Sequence, residues 1–159
     1  MDVPLLLALW LHTVALVIAW GYYGVLGRIV LPGLEGSLDA PARARALVAV
    51  ETRAVPLVLV AVILFTVTGT YLLLVNPRYA GLGMVLDSPW SSLMFAKHVL
   101  VGVFLVLAVA VDRLLRRASG ATDDPTVSTH LRRARLAAEA ATATGALIVL
   151  LTVAAQLAA

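Results

Sequence analysis

The fold is decided by residues 4–31, which read PLLLALWLHTVALVIAWGYYGVLGRIVL. Arg28 is the only residue in this stretch that carries a permanent charge. A helix of about 20 consecutive apolar residues is long enough to cross the roughly 30 Å hydrocarbon core of a bilayer. The stretch therefore predicts a transmembrane helix. It is too long for a cleaved signal peptide, and Asp2 stands where such a peptide has basic residues.

Three further apolar stretches are long enough to span a bilayer, and they cover about residues 53–76, 90–115 and 131–157. Composition supports this interpretation, because 62% of the 159 residues are hydrophobic and 13% are charged. Soluble domains are usually about 45–50% apolar and about 25% charged. We predict a single transmembrane domain over residues 1–159, an all-α integral membrane four-helix bundle.

Arginine is distributed unevenly among the connections between the spans. The connection between the second and third spans carries only Arg78, and the two termini carry none. The first and third connections with their flanks carry ten, namely Arg28, Arg43, Arg45, Arg53, Arg113, Arg116, Arg117, Arg132, Arg133 and Arg135. Because cytoplasmic loops are enriched in basic residues, both termini are predicted on the outer side of a bacterial inner (plasma) membrane. The net charge of +3 thus reflects topology, and the expected partner is the lipid bilayer rather than nucleic acid.

Two histidines lie inside the apolar spans at matching depth. His12 is eight residues inward from Pro4, and His98 is eight residues inward from Trp90. At about 1.5 Å per residue, both lie roughly 12 Å below the outer helix ends. An imidazole in hydrocarbon costs free energy unless it binds something. Because paired imidazoles from separate helices are typical axial ligands of a membrane haem, we predict haem b between the first and third spans with His12 and His98 as metal ligands.

Two neighbours of His98 have chemistry of their own. Lys97, the only lysine, could act as an axial ligand, as a partner for a haem propionate or as a proton-handling group. Adjacent helix positions point about 100° apart, so the choice between Lys97 and His98 as the second ligand stays open. Met94 lies one turn before His98, and a thioether and an imidazole at this spacing suit Cu(I). Copper is therefore the alternative metal.

Other polar residues extend this candidate site. Thr70 and Thr152 are expected near the depth of the histidines, where they would contact the bound group or its ligands. Arg78 would neutralise the propionates of a haem in the outer half of the bundle. The chain has no cysteine, which excludes disulfides, thiolate metal sites and iron–sulfur clusters. Small residues at helical spacing would let helices pack closely against each other, and the same faces would also permit a homodimer.

Two segments resemble known families. Residues 9–32, LWLHTVALVIAWGYYGVLGRIVLP, resemble the first helix of the HemJ/CopD-like membrane families, with a histidine, a tryptophan, glycines and a basic-to-proline end. Residues 88–109, SPWSSLMFAKHVLVGVFLVLAV, resemble their later helix, in which a lysine precedes a leucine-rich run. Resemblance to HemJ implies a four-helix protein that binds haem b and oxidises protoporphyrinogen, with these roles on His12 and Lys97. Resemblance to CopD implies copper uptake across the inner membrane.

Three interpretations follow from the sequence. The first is a b-type haem protein with a redox role, either electron transfer or a HemJ-like protoporphyrinogen oxidation, which would make it a haem-dependent oxidoreductase. The second is a copper-handling membrane protein that uses His12, Met94 and His98 as ligands. The third is a non-catalytic membrane subunit whose polar residues pack helices or bind a partner. The residues alone leave open whether the protein is an enzyme.

Overall fold

A computed structural model describes residues 2–79, 81 and 86–158, and within these ranges every regular element is a helix. The helices are α1 (Val3–Val25), a π-helical turn (Leu26–Val30), α2 (Leu31–Glu35), α3 (Ala40–Leu74), α4 (Pro89–Gly120) and α5 (Asp124–Leu157). Four helical stretches are long and apolar enough to cross a membrane: α1 with its continuation into α2, then α3, α4 and α5. These helices confirm the predicted all-helical membrane architecture. The side of the membrane on which the termini lie stays a prediction.

The helices extend beyond the apolar spans that hydropathy predicts. α3 begins at Ala40 and α5 at Asp124, each well before the start of its apolar span. Polar and arginine-bearing turns thus precede the apolar span in each of these helices. Three capping side chains fix the helix starts by accepting hydrogen bonds from backbone N–H groups in the first turn, namely Asp39, Ser88 and Asp123.

The four long helices form a ring. α1 packs along α3 and α4 packs along α5, and these are the most extensive contacts. Contacts between α3 and α4 and between α1 and α5 close the ring. α1 and α4 therefore stand at diagonal positions. Side chains from these two helices can share a space only in the interior of the bundle.

Close packing of α1 against α5 depends on glycine. The Trp20 indole Nε1–H donates a hydrogen bond to the backbone oxygen of Thr142 at 2.8 Å. Its ring covers Gly145, where a Cβ atom would overlap the indole. Seven residues after Trp20, in the π-helical turn, lies Gly27, where a Cβ atom would be 3.2 Å from the Cβ of Ala138. Small residues thus let the two helix backbones approach each other.

The distribution of apolar side chains is the reverse of that in a soluble protein. Large apolar residues cover the outside, and Trp10, Val106 and Leu150 are each exposed over at least 60% of their surface. The interior is built largely of alanine, including Ala15 and Ala138, which are almost completely buried. An apolar exterior of this extent fits contact with lipid.

Candidate functional site

A cavity of about 470 Å³ lies at the end of the bundle where α3 ends and α4 begins. We call it the terminal cavity. Its walls come from α1, α3, α4 and α5. His12 from α1 and His98 from α4 both line it, although their helices stand diagonally across the ring. The structure therefore brings the two membrane histidines to one shared space.

His12 is held by α3 through its Nδ1 atom. This atom lies 3.0 Å from the backbone oxygen of Phe65 and 3.1 Å from the hydroxyl oxygen of Thr68. A carbonyl oxygen can only accept, so Nδ1 carries the proton and donates it. The Thr68 hydroxyl in turn donates to the backbone oxygen of Leu64 at 2.5 Å, which leaves its lone pairs free to accept from His12. In the neutral ring Nε2 is then an unprotonated lone-pair donor.

The His12 ring is also fixed sterically. It stacks on the Phe65 ring with a centroid separation of 4.1 Å and an interplanar angle of 19°. Its other neighbour is Gly69, where a Cβ atom would lie 2.9 Å from His12 Cε1. Contacts as short as this are essentially never made by real Cβ atoms, so the ring needs glycine at this position. Phe65 and Gly69 thus set the orientation of the imidazole.

The His98 ring is also held by a hydrogen bond from its Nδ1 atom to a backbone oxygen. Its Nδ1 atom lies 2.6 Å from the backbone oxygen of Met94, one turn earlier in α4. Nδ1 is again the donor, and Nε2 again keeps its lone pair. His98 is exposed and Met94 is half-buried, and both line the terminal cavity. A histidine that ligates a metal usually donates its other N–H to a carbonyl or carboxylate in this way.

The other predicted site residues fall into two groups. Those that line the terminal cavity are Thr70, Lys97 and Thr152. Lys97 is half-buried. Arg78 lies exposed in the connection after α3 and is not among the residues that line the cavity. The role of Arg78 beside a bound group stays a prediction.

Sequence reasoning missed the residues that orient His12. Thr68 and Phe65 lie on the face of α3 that meets α1, and Thr68 is buried. Threonines and Gly69 in the second span indicate a polar, small-residue face, but they do not show which residue of another helix meets it. That pairing depends on how far α1 is rotated and shifted against α3.

The donors at the terminal cavity suit a soft metal ion of low coordination number. No cluster of three or more histidine, cysteine, aspartate or glutamate residues occurs among the described residues. The cavity instead offers two imidazoles and a thioether, and Asp2 is its only acidic lining residue within the described part of the chain. Thioether and imidazole ligands favour Cu(I), whereas hard divalent cations prefer several oxygen ligands. The residues present therefore fit Cu(I) better than a hard cation.

These features define a class of protein: a multi-pass helical membrane protein with a histidine- and methionine-bearing cavity at one end of the bundle. A family model described as Copper resistance protein D matches residues 53–155, which is more than half of the chain. The chain belongs to this family. Searches of curated proteins and of solved structures gave no match.

The family match confirms the CopD side of the resemblance and favours copper over haem b. The matched range contains Met94, Lys97 and His98, and it begins after α1, so it does not contain His12. The assignment of His12 to the site therefore depends on its geometry at the terminal cavity. Neither the structure nor the comparisons support haem, iron or oxidoreductase chemistry, which the sequence interpretation had placed first.

Proposed function

We propose that this protein handles copper within the membrane and binds Cu(I) as its cargo in the terminal cavity. The ligands are Nε2 of His12, Nε2 of His98 and the thioether sulfur of Met94. The observation that carries this proposal is that both imidazoles donate Nδ1–H to a main-chain carbonyl and keep Nε2 free beside one cavity. The family match supplies independent support for copper.

Each chemical feature of the cavity contributes to this function. Hydrogen bonds at Nδ1 fix the tautomer, so no proton has to leave Nε2 before metal binds. The lining is mostly apolar, and it includes Leu5, Leu9 and Val101. An apolar wall disfavours the hydrated divalent ions that would compete for the site. Thioether sulfur adds preference for the reduced metal.

The cellular setting is also a proposal. The arginine distribution favours a bacterial plasma membrane with both termini outside. In that orientation the terminal cavity faces the outer side, because Asp2 and Gln156 both line it. Copper would then enter from outside, as expected of an uptake protein.

Copper binding is tested with the full-length protein in nanodiscs, titrated anaerobically with Cu(I) against a chromophoric Cu(I) chelator. We expect one Cu(I) per chain. His12→Ala, Met94→Leu and His98→Ala should each weaken binding by more than about tenfold, because losing even a partner that orients a ligand typically costs about 10–100-fold. His130→Ala is the matched control, because His130 lies near the start of α5 and does not line the cavity.

Three results would contradict the proposal. One is stoichiometric haem with a reduced-minus-oxidised α band in protein from haem-replete cells, which would restore the haem interpretation. Another is absence of Cu(I) binding, which would favour a helix-packing or partner-binding subunit. The third is equal loss of affinity in His98→Ala and His130→Ala, which would show that the effect is not local to the cavity.

A further inference from the structure

A second polar pocket lies at the opposite end of the bundle from the terminal cavity. It has a volume of about 350 Å³ and lies between the end of α2, the start of α3 and the first turns of α5. We call it the basic pocket. Its polar lining consists of three arginines, two hydroxyl residues and one glutamate: Arg43, Arg132, Arg135, Ser128, Thr129 and Glu35.

Arg43 is the most informative residue of the basic pocket. It is only 8% exposed, and its Nε–H is buried without a hydrogen-bond acceptor among the described residues. Its nearest carboxylate oxygen belongs to Glu35, at 3.9 Å from Nη1, which is too long for a hydrogen bond. A buried guanidinium donor without an acceptor costs free energy. Arg43 lines the basic pocket, so a largely buried guanidinium without a short carboxylate contact forms part of its wall.

The charges around the basic pocket do not balance within the lining. Among the residues that the structure describes, Glu35 is the only acidic one in the lining. Its side chain is 62% exposed, and it lies 3.8 Å from Arg135 as well as 3.9 Å from Arg43. Arg135 has a shorter contact of 2.9 Å with Glu139, outside the lining. Arg132 makes no ion pair with any residue that the structure describes. Positive charge is therefore in excess.

Hydroxyl groups complete a set of donors. Ser128 and Thr129 lie one turn before Arg132 and line the basic pocket, and neither side chain forms a hydrogen bond within the described chain. Arginine forks and hydroxyls together are the donors that recognise phosphate oxygens. Basic pockets between transmembrane helices are a known setting for anionic lipid headgroups.

We propose that the basic pocket binds a phosphate group, carried by an anionic phospholipid or by free inorganic phosphate. Arg43 and Arg132 hold the phosphate oxygens, and the hydroxyls of Ser128 and Thr129 add hydrogen bonds. Bound phosphate joins α3, through Arg43, to α5, through Arg132, at this end of the bundle. This inference does not depend on copper binding, because the pocket shares no residue with the terminal cavity.

The test uses delipidated full-length protein in a neutral detergent. Binding is measured by native mass spectrometry and by thermal unfolding with three probes: cardiolipin, phosphatidylcholine and inorganic phosphate. We expect cardiolipin or phosphate to bind and stabilise, and phosphatidylcholine not to. Selective binding of cardiolipin identifies a lipid headgroup site, whereas binding of phosphate identifies a small-anion site. If neither binds more tightly than phosphatidylcholine, the proposal is overturned.

Matched arginine variants localise the effect. Arg132→Gln should lower the affinity for whichever anion binds by about tenfold, as expected for loss of one charge-assisted contact. Arg133→Gln changes an exposed neighbour outside the lining and should leave that affinity unchanged. Arg43→Gln and Arg45→Gln form a second pair on α3, in which only Arg43 lines the pocket. Equal weakening in both members of the Arg132/Arg133 pair would show general surface electrostatics and would contradict a defined site.

Discussion

The Nδ1 atom of His12 in α1 lies 3.0 Å from the backbone oxygen of Phe65 in α3. This hydrogen bond links a proposed copper ligand to the packing of two neighbouring helices. The same face of α3 supplies Thr68 and Gly69 to the imidazole. Changes on α3 that touch no metal should therefore alter the affinity for copper.

Gly69→Ala should weaken Cu(I) binding. The new Cβ would lie 2.9 Å from His12 Cε1, so the ring must move away from its hydrogen bonds to α3. Loss of such an orienting contact typically lowers metal affinity by about 10–100-fold. Competitive titration with a Cu(I) chelator measures the change. Gly102→Ala in α4 is the control, because a Cβ there meets nothing within 4 Å, and its affinity should match the wild type.

Lys97→Leu should strengthen Cu(I) binding. Lys97 lines the terminal cavity with both histidines, and a nearby ammonium group repels a bound cation. Removing that charge should tighten binding by about three- to tenfold, on the order of 1 kcal/mol. Lys97→Arg keeps the charge and should bind as the wild type does. Weaker binding in Lys97→Leu would instead identify Lys97 as a ligand, which would contradict the assignment to His98.

Gly145→Ala should destabilise the bundle through the contact between α1 and α5. A Cβ at Gly145 would overlap the Trp20 indole, so the ring must shift from its 2.8 Å hydrogen bond to Thr142. Overpacking of this kind costs about 1–3 kcal/mol. Unfolding in mixed detergent micelles measures the loss. Gly21→Ala, where a Cβ meets nothing within 4 Å, should be as stable as the wild type or slightly more stable.

The start of α5 should loosen at acid pH. Hydrogen bonds from Thr126, first from its side chain and then from its backbone, hold the pKa of Asp123 below its usual value of 3.8. Because the pKa is lower in the folded state, this cap stabilises the fold fully above pH 3.8 and is lost as the pH falls through the lowered pKa. The NMR shift of the Thr126 amide proton follows this change. In Asp123→Asn the shift should not titrate; a titration like that of the wild type would point to another group.

The fold could be predicted from the sequence because the bilayer imposes a simple rule on each helix separately. A long apolar stretch such as residues 4–31 must satisfy its backbone hydrogen bonds internally, so it forms a helix whatever its neighbours are. The helix ends were less predictable. Capped starts at Asp39 and Asp123 let α3 and α5 extend beyond the apolar spans, where hydropathy gives no signal.

The candidate site could be predicted only in part. An imidazole in an apolar span is conspicuous in the sequence, so His12 and His98 stand out, and depth arguments place them at one level. The contacts that orient His12 were not predictable, because they depend on the rotation and axial shift of α1 against α3. Lys97 and His98 are adjacent in the helix, so the sequence predicts that only one of them reaches a given metal position. Both residues nevertheless line the terminal cavity, because the cavity extends over more than one such position.

Copper K-edge X-ray absorption of the Cu(I)-loaded full-length protein in nanodiscs tests the central claim most directly. Our account predicts imidazole nitrogen and one sulfur around the metal, with the sulfur lost in Met94→Leu and part of the imidazole signal lost in both His12→Ala and His98→Ala. A copper environment without imidazole, or one left unchanged by His12→Ala, would contradict it.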